Sequence, residues 1–414
     1  MYIPEDQRFT CQCCGLLCKR LFIPVSEEER KRIERLEGEG EEVLFLKKGE
    51  NTYLARKEDG RCVFLDDENL CRLHKRFGEK AKPLACRVFP FTFSLKGGEL
   101  AAGVRFACPA VAANVGRPLD SYRKNLLDLA REVRQQTHAL QPEEVEAWEG
   151  LSEEGVVRLV EFLADGVSRE ELDLDKRLIC LLRLFTVLEM AHPDEWGQPK
   201  IWEQLQTLRD AAFEEERERT PCPAEEWSRA ERSRFFQLLS LYARRDEESG
   251  DSWEVRSRLE RSFRSAGVML GKGSLQGMGR DLPCSALSLL KESSFVAEGN
   301  AEEPVFRFLR VKLTTHQFFG SSHHDFSLKE GFLSLLMAYP VAGAFARLYA
   351  ADRGKRRVEK EDAVRAVSAV DHGFSHMKGL GTHTAKRLVS ALASEESYRR
   401  LVGLLGFFST REPK

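Results

Sequence analysis

Eight of the 11 cysteines in this 414-residue chain (Cys11, Cys13, Cys14, Cys18, Cys62, Cys71, Cys86 and Cys108) lie within its first 108 positions, leaving Cys180, Cys222 and Cys284 for the rest. A segment that dense in thiols folds around something that bonds sulfur. The chain is long enough for two or three cored domains, so metal is not needed to rescue a tiny fold. The residues before Cys11, with Glu5 and Asp6, lack the basic-then-apolar order of an export signal, and the expected compartment is the cytoplasm. Where glutathione and thioredoxin keep disulfides open, clustered thiols are metal ligands or redox centres more often than bridges. All eight N-terminal thiols are therefore candidate metal ligands.

Composition narrows the rest. With 64 basic and 66 acidic residues the chain is near neutrality, and its aromatic pairs lack the basic stripe of a base-stacking surface, so no nucleic-acid partner is expected. The longest uncharged run, Gly331 to Ala346, falls short of the ~20 apolar residues of a membrane span and reads as a buried helix.

Local patterns predict an α+β fold, a small Cys-rich metal-binding domain over 1–115 followed by a mostly α-helical remainder. Ser26 and Glu29 make a capping box that opens a helix running to Leu36. Val43 to Leu46, Thr52 to Arg56 and Cys62 to Leu65 read as small strands, and Phe91 to Leu95 with Leu100 to Phe106 as a hairpin through Gly97-Gly98. From about Leu119 the apolar period becomes 3.6. Helices are expected near 120–139, 152–165, 168–191, 195–218, 224–246, 252–266, 303–319, 327–353, 358–371 and 383–407, with a kink at Pro340. The glycine-rich passage Ser265 to Pro283 is read as a linker between helical regions 116–265 and 280–414.

Cys11-Gln12-Cys13-Cys14-Gly15-Leu16-Leu17-Cys18 puts four thiols in eight residues, with Gly15 taking a tight turn so that sulfurs converge. Cys62, Cys71, Cys86 and Cys108 follow singly, and Cys71 and His74 would share one face of a short helix. The ordered set, with Gly60-x-Cys62-x-Phe64-Leu65-Asp66, Cys71-x-x-His74, Lys82-Pro83-x-x-Cys86-Arg87-x-Phe89-Pro90 and Cys108-Pro109, resembles the YkgJ-type cysteine-cluster family. That family is described as a zinc- or iron-chelating domain with a Cys-x-x-Cys-x-x-Cys-Cys signature. Cys11, Cys14 and Cys18 fall on three of its cysteines, Leu17 occupies the remaining position and Cys13 is an extra thiol.

Some long members of that family resemble flagellin lysine N-methylases. That likeness implies an S-adenosylmethionine-dependent protein-lysine N-methyltransferase with an iron–sulfur centre and a protein substrate. The stretches Pro304 to Phe319 and Phe326 to Ala350 are loosely similar to its helical part. No Gly-x-Gly loop follows a strand, however, so nothing marks a Rossmann-like methyl-donor site. The singly spaced cysteines favour a 4Fe-4S cluster wrapped by several loops over a zinc ribbon, and leave both metals open. The main expectation is a metal-binding cysteine-cluster protein with a helical partner- or substrate-binding region, and the methyltransferase is the alternative.

Other candidates have plainer readings. Cys180, within Leu178 to Leu182, is expected to pack in a core, and Cys222 and Cys284 to be loop thiols. Arg87 is expected to bond cluster sulfurs or to cap a helix. His323-His324 and the His372/His376 pair have metal-like spacing without thiol reinforcement, and Gly373 argues for a loop inside the second pair. No Ser-His-Asp order or paired carboxylate stands out, so no catalytic residue is assigned.

Overall fold

A computed structural model describes residues 1–38, 43–137, 151–190, 199–219, 227–244, 263–279, 281–291, 295–376 and 378–407. Its N-terminal quarter is α+β and the remainder is mostly helical. In chain order the first part contains β1 (Arg8–Phe9), α1 (Leu16–Arg20), α2 (Glu27–Glu37), β2 (Phe45–Lys48), β3 (Asn51–Leu54), α3 (Arg72–Phe77), α4 (Leu84–Val88), β4 (Phe91–Lys96), β5 (Glu99–Val104), α5 (Pro109–Ala112) and β6 (Arg117–Pro118). The named ladders here are antiparallel and two-stranded, β1 with β6, β2 with β3 and β4 with β5, and Tyr2 adds an isolated parallel bridge to Ala101 of β5. Such short ladders cannot hold a fold by themselves. The Ser26 hydroxyl accepts the Glu29 amide and the Glu29 carboxylate accepts the Ser26 amide, so the expected capping box starts α2.

Then come α6 (Arg123–Thr137), α7 (Glu153–Ser168), α8 (Leu174–Met190), α9 (Pro199–Glu218), α10 (Arg229–Ala243), β7 (Val296–Ala297), α11 (Glu303–Thr314), α12 (Leu328–Asp352), β8 (Arg357–Val358), α13 (Lys360–His376), α14 (His383–Leu392) and α15 (Glu395–Leu405). Helix α12 is the axis: it is apolar on every side, and α13 and α15 pack along it. Among the described residues it is the one helix long and apolar enough to cross a membrane, and its apolar stretch is buried throughout inside the protein. Pro340 sits within it.

Four local expectations need correction. Cys62 to Leu65 is not a strand; it forms turns with isolated bridges from Cys62 to Arg56 and from Leu65 to Cys71. The helix expected over 383–407 is two, because Ser394 caps α15 and breaks the run. Gly373 lies inside α13 rather than in a loop: a Cβ there would stand 2.8 Å from the Tyr242 ring, so the glycine serves close packing against α10. In the passage read as a linker, Val268, Leu275 and Met278 are buried in the main core. Most of the helix expected over 252–266 lies outside the described residues.

The two parts are bolted together by buried charge. Lys312 on α11 and Asp371 on α13 pair at 2.8 Å with almost no exposure, and Asp371 also accepts the Ala107 amide at 2.9 Å and the Ser375 hydroxyl at 2.8 Å. Arg307, also on α11, donates to the carbonyls of Val111 and Ala112 at 2.9 and 2.6 Å, covering the C-terminal end of α5. Removing one member of a buried pair strands the other charge, at a cost of about 3–5 kcal/mol. Asp371→Asn is expected to lower global stability by about that amount, measured by denaturant unfolding; a loss under about 1 kcal/mol would mean that water reaches the pair.

Candidate metal centre

The cysteines are set in place by side chains bonded to backbone. Gly15 takes a left-handed φ of 65° and starts α1, which carries Cys18. The Cys62 amide donates to the Cys18 carbonyl at 2.7 Å. Arg56 donates to the carbonyls of Lys19 and Arg20 at 2.6 and 3.2 Å, closing the end of α1. The Asp66 carboxylate accepts the Glu68 and Leu70 amides at 3.0 and 2.8 Å, shaping the loop that leads to Cys71, the N-cap of α3. Glu29, already in its capping box, accepts the Leu84 amide at 2.6 Å and fixes the start of α4, where Cys86 sits.

A second set of bonds brings the chain's start to Cys108. The Asn114 side chain accepts the Arg8 amide at 2.7 Å and donates to the Asp6 carbonyl at 3.0 Å. Beside the β1–β6 ladder, the Thr10 hydroxyl accepts the Arg117 amide at 3.2 Å. Cys11 follows Thr10 directly, and Cys108 is the N-cap of α5. The main chain is thus folded so that Cys18, Cys62, Cys71 and Cys86 border one small core, while the start of the chain is tied to the loop that follows Cys108 and α5.

Burial and charge describe the donor set. Cys62 and Cys108 are buried, Cys18, Cys71 and Cys86 half-buried, and Cys11, Cys13 and Cys14 exposed. Burial, and then the neighbouring Cys62 and Cys71, push the Cys18 thiol up to about 12. Burial raises Cys62 to about 11, offset by the Phe64 amide aimed at its sulfur and by Arg56 and Lys57. Cys86 is raised by burial and then by Cys18, with Lys82 opposing. Cys108 goes to about 11 through burial, against the amides of Val111 and Ala110 that point at its sulfur. Cys13 is raised first by the charge of Cys11. Protonated thiols have no mutual attraction, and among the described residues no three His, Cys, Asp or Glu side chains stand converged around an ion position. The donor chemistry nonetheless fits a soft cation: crowded thiols, amides directed at sulfur and adjacent Lys82, Arg56 and Lys57 are what favour metal thiolates.

Other sequence candidates fall elsewhere. His74 is exposed on α3. Arg87 neither faces sulfur nor caps a helix; it makes a two-pronged ion pair with Glu132 of α6, because α4 packs on that helix. Cys180 is fully buried beside Phe213 and Leu172, as expected, and Cys284 is exposed. Cys222 lies outside the described residues. His323 stacks on Phe374 with ring centroids 3.9 Å apart, and its Nε2 lies 3.3 Å from the Ser334 hydroxyl. Burial holds it well below the usual histidine range. His324 Nε2 meets the Phe374 carbonyl at 3.1 Å. His372 is buried on α13, and the side chain of His376 lies outside those described.

Residues 10–109, about a quarter of the chain, match the family model described as "CxxCxxCC: Putative zinc- or iron-chelating domain". The N-terminal segment is thus similar to CxxCxxCC domains. A curated relative, the flagellar biosynthetic protein FliU of Salmonella muenchen, is 34% identical over 56 residues, which is 14% of this chain and 33% of that protein. The chain thus matches about one third of that relative's length. No solved structure matches the chain. The scaffold of this segment depends on side chains whose partners sequence spacing does not reveal: Glu29 reaches Leu84, Asn114 reaches Arg8, and Asp371 reaches Ala107.

Glu29→Ala is expected to leave the Leu84 amide unsatisfied in the protein interior, lowering stability by about 1–3 kcal/mol and shortening the lifetime of bound metal against a chelator. The exposed neighbour change Glu28→Ala serves as the comparison. Equal metal lifetimes in the two variants would show that Glu29 does not position Cys86.

Proposed function

We propose that this chain is a metal-dependent protein whose CxxCxxCC domain holds zinc or an iron–sulfur centre on Cys11, Cys13, Cys14, Cys18, Cys62, Cys71, Cys86 and Cys108, and whose helical body binds a protein partner. The observation that carries the reading is the crowding of thiols from four segments, the 11–18 loop, Cys62, Cys71 and Cys86, beside Lys82, Arg56 and Lys57, within a segment that matches a family described as "Putative zinc- or iron-chelating domain". When bound, zinc would supply a rigid cross-link or a Lewis acid, and an iron–sulfur centre electron transfer. The chain's own residues hold the loops in register, direct amides at sulfur and, through Asp371 and Arg307, couple the Cys108 turn to α11 and α13. Single cysteines on separate loops favour a 4Fe-4S centre over a zinc ribbon.

The second reading is an S-adenosylmethionine-dependent protein-lysine N-methyltransferase acting in the cytoplasm. It is supported by the similarity to a flagellar biosynthetic protein and by the resemblance of long family members to flagellin methylases. Metal-loaded protein is expected to bind S-adenosylmethionine in a calorimetric titration under this reading; no heat at millimolar ligand sinks it.

Metal analysis decides the first reading. Anaerobically purified protein is expected to carry tightly held metal, brown with sulfide for an iron–sulfur centre and colourless for zinc; metal-free protein that takes up neither would refute it. The raised thiols are protonated at neutral pH, so metal must displace protons. Affinity is expected to rise with pH from neutrality towards the thiol range, and calorimetry in two buffers of different ionisation heat should show proton release. In metal-free protein the sign is the opposite for folding. Stabilisation from the raised thiols is complete below the ordinary value of about 9 and is lost as pH climbs through 11 to 12.

A further inference from the structure

The end of α15 is fastened to the axis helix along one face of α12, where Tyr339, Gly343 and Arg347 follow one another at single-turn spacing. A Cβ on Gly343 would stand 1.7 Å from the Leu405 carbonyl oxygen, so the last turn of α15 lies directly on the α12 backbone. Arg347, which is buried, donates to the Leu405 carbonyl at 2.5 Å and to the Gly406 carbonyl at 2.7 Å. The Tyr339 hydroxyl accepts the Phe407 amide at 3.1 Å, and the two rings pack with centroids 5.8 Å apart. Leu405, Gly406 and Phe407 thus form a strap that two side chains hold to α12.

Under the strap lies a carboxyl that has no ion pair among the described residues. The Tyr339 hydroxyl donates to Asp175 Oδ1 at 2.5 Å, and Asp175, in the first turn of α8, is only 2% exposed. Gly406 covers it: a Cβ there would fall 2.2 Å from the same oxygen. The charged groups facing Asp175 are Glu302 at the start of α11, Asp173 just before α8, and Arg347, whose bonds go to carbonyls and whose Nε has no partner among the described residues. Arg177 lies towards Glu302 and Asp173 and donates to the carbonyls of Leu172 and Val167, and Tyr398 of α15, which also faces Asp175, donates to the Leu336 carbonyl at 3.0 Å. Burial, with Glu302 and Asp173 adding and Tyr339 and Arg347 opposing, pushes the Asp175 carboxyl up to about 8. Protonated, it is a neutral partner for Tyr339. Ionised, it is a charge without water beside two carboxyls of its own kind.

We propose that the strap is a proton-dependent latch on the helical body: with Asp175 protonated, Arg347 holds the carbonyls of Leu405 and Gly406, and with Asp175 ionised, Arg347 turns to the carboxylate and the strap lifts. Arg347 and Asp175 flank the same residue, Gly406, so one guanidinium serves either partner. A bond from guanidinium to carboxylate is about twice as strong as one to a neutral carbonyl, which sets the direction of the exchange. The proton passes to bulk water, and lifting the strap lets water reach the charge. An open strap leaves Asp175 an ordinary carboxyl, so opening gains on closing as pH rises from the usual 3.8 towards about 8 and gains no further above it. The inference does not depend on the metal-binding reading.

Amide hydrogen exchange of the full-length protein, corrected for the intrinsic rate at each pH, reads the latch. The Phe407 amide and those of the last turn of α15 are expected to be less protected than amides in the middle of α12, and to lose protection by up to about tenfold per pH unit before levelling off near pH 8. Asp175→Asn keeps an acceptor for Tyr339 and cannot ionise, so its strap is expected to show the same protection throughout. Protection that does not change with pH in the unmodified protein, or that falls as steeply in Asp175→Asn, would overturn the latch. Strap amides as well protected as those of α12 at every pH would also overturn it, since exchange would then require the whole body to unfold. Should the variant not fold, the pH profile and the strap-against-α12 comparison in the unmodified protein decide alone.

Discussion

Asp371 carries a charge that water does not reach, and it is shared between the Lys312 ammonium and the backbone amide of Ala107. A buried pair of this kind adds little net stability over an apolar substitute, yet it is strongly directional, because misplacing any member strands a charge or a donor. Here the direction matters. The Ala107 amide is one residue from Cys108, so the pair fixes the turn at which β5 gives way to α5. Arg307 closes the other end of α5, and Asn114 hands the same order on to the segment that leads to Cys11.

The satellite core around Ile33 and Phe64 works differently. It is small, its ladders are two strands wide, and apart from α2 its helices are one or two turns long. Order there comes from charged groups spanning loops: Arg56 on the end of α1, Asp66 inside its turn, Glu29 across to α4. Cys18, Cys62 and Cys86 in that setting are held protonated, chiefly by burial, and nearby thiols add to the cost of ionising them. A soft cation reverses the balance by making the thiolates attractive to a common centre. On the proposed reading a bound metal would order this part of the fold, whereas in the helical body α12 is already surrounded by apolar side chains.

What could be read from the residues follows from the range of the interactions. The capping box at Ser26 and Glu29, the Gly97-Gly98 hairpin and the burial of Gly331 to Ala346 depend on neighbours within a few positions, and they are found where the pattern placed them. The cysteine cluster was legible because thiols set that densely along a chain point to sulfur chemistry whatever fold surrounds them. The bonds that hold its loops were not, since the Cys62 amide meets the Cys18 carbonyl, and Asn114 the Arg8 amide, through folding that spacing does not encode. Gly373 misled for a related reason: glycine is as useful for close helix contact as for a loop, and only the ring of Tyr242 distinguishes the two. The second role of Glu29, towards Leu84, is hidden behind its local one.

X-ray absorption at the metal edge of the as-purified protein tests the central claim most directly, since it counts the atoms bonded to the metal. A first shell made of sulfur, at about 2.3 Å if the metal is zinc, is what the thiol sets predict. A shell dominated by nitrogen or oxygen near 2.0–2.1 Å for zinc would place the metal on other residues and contradict the account.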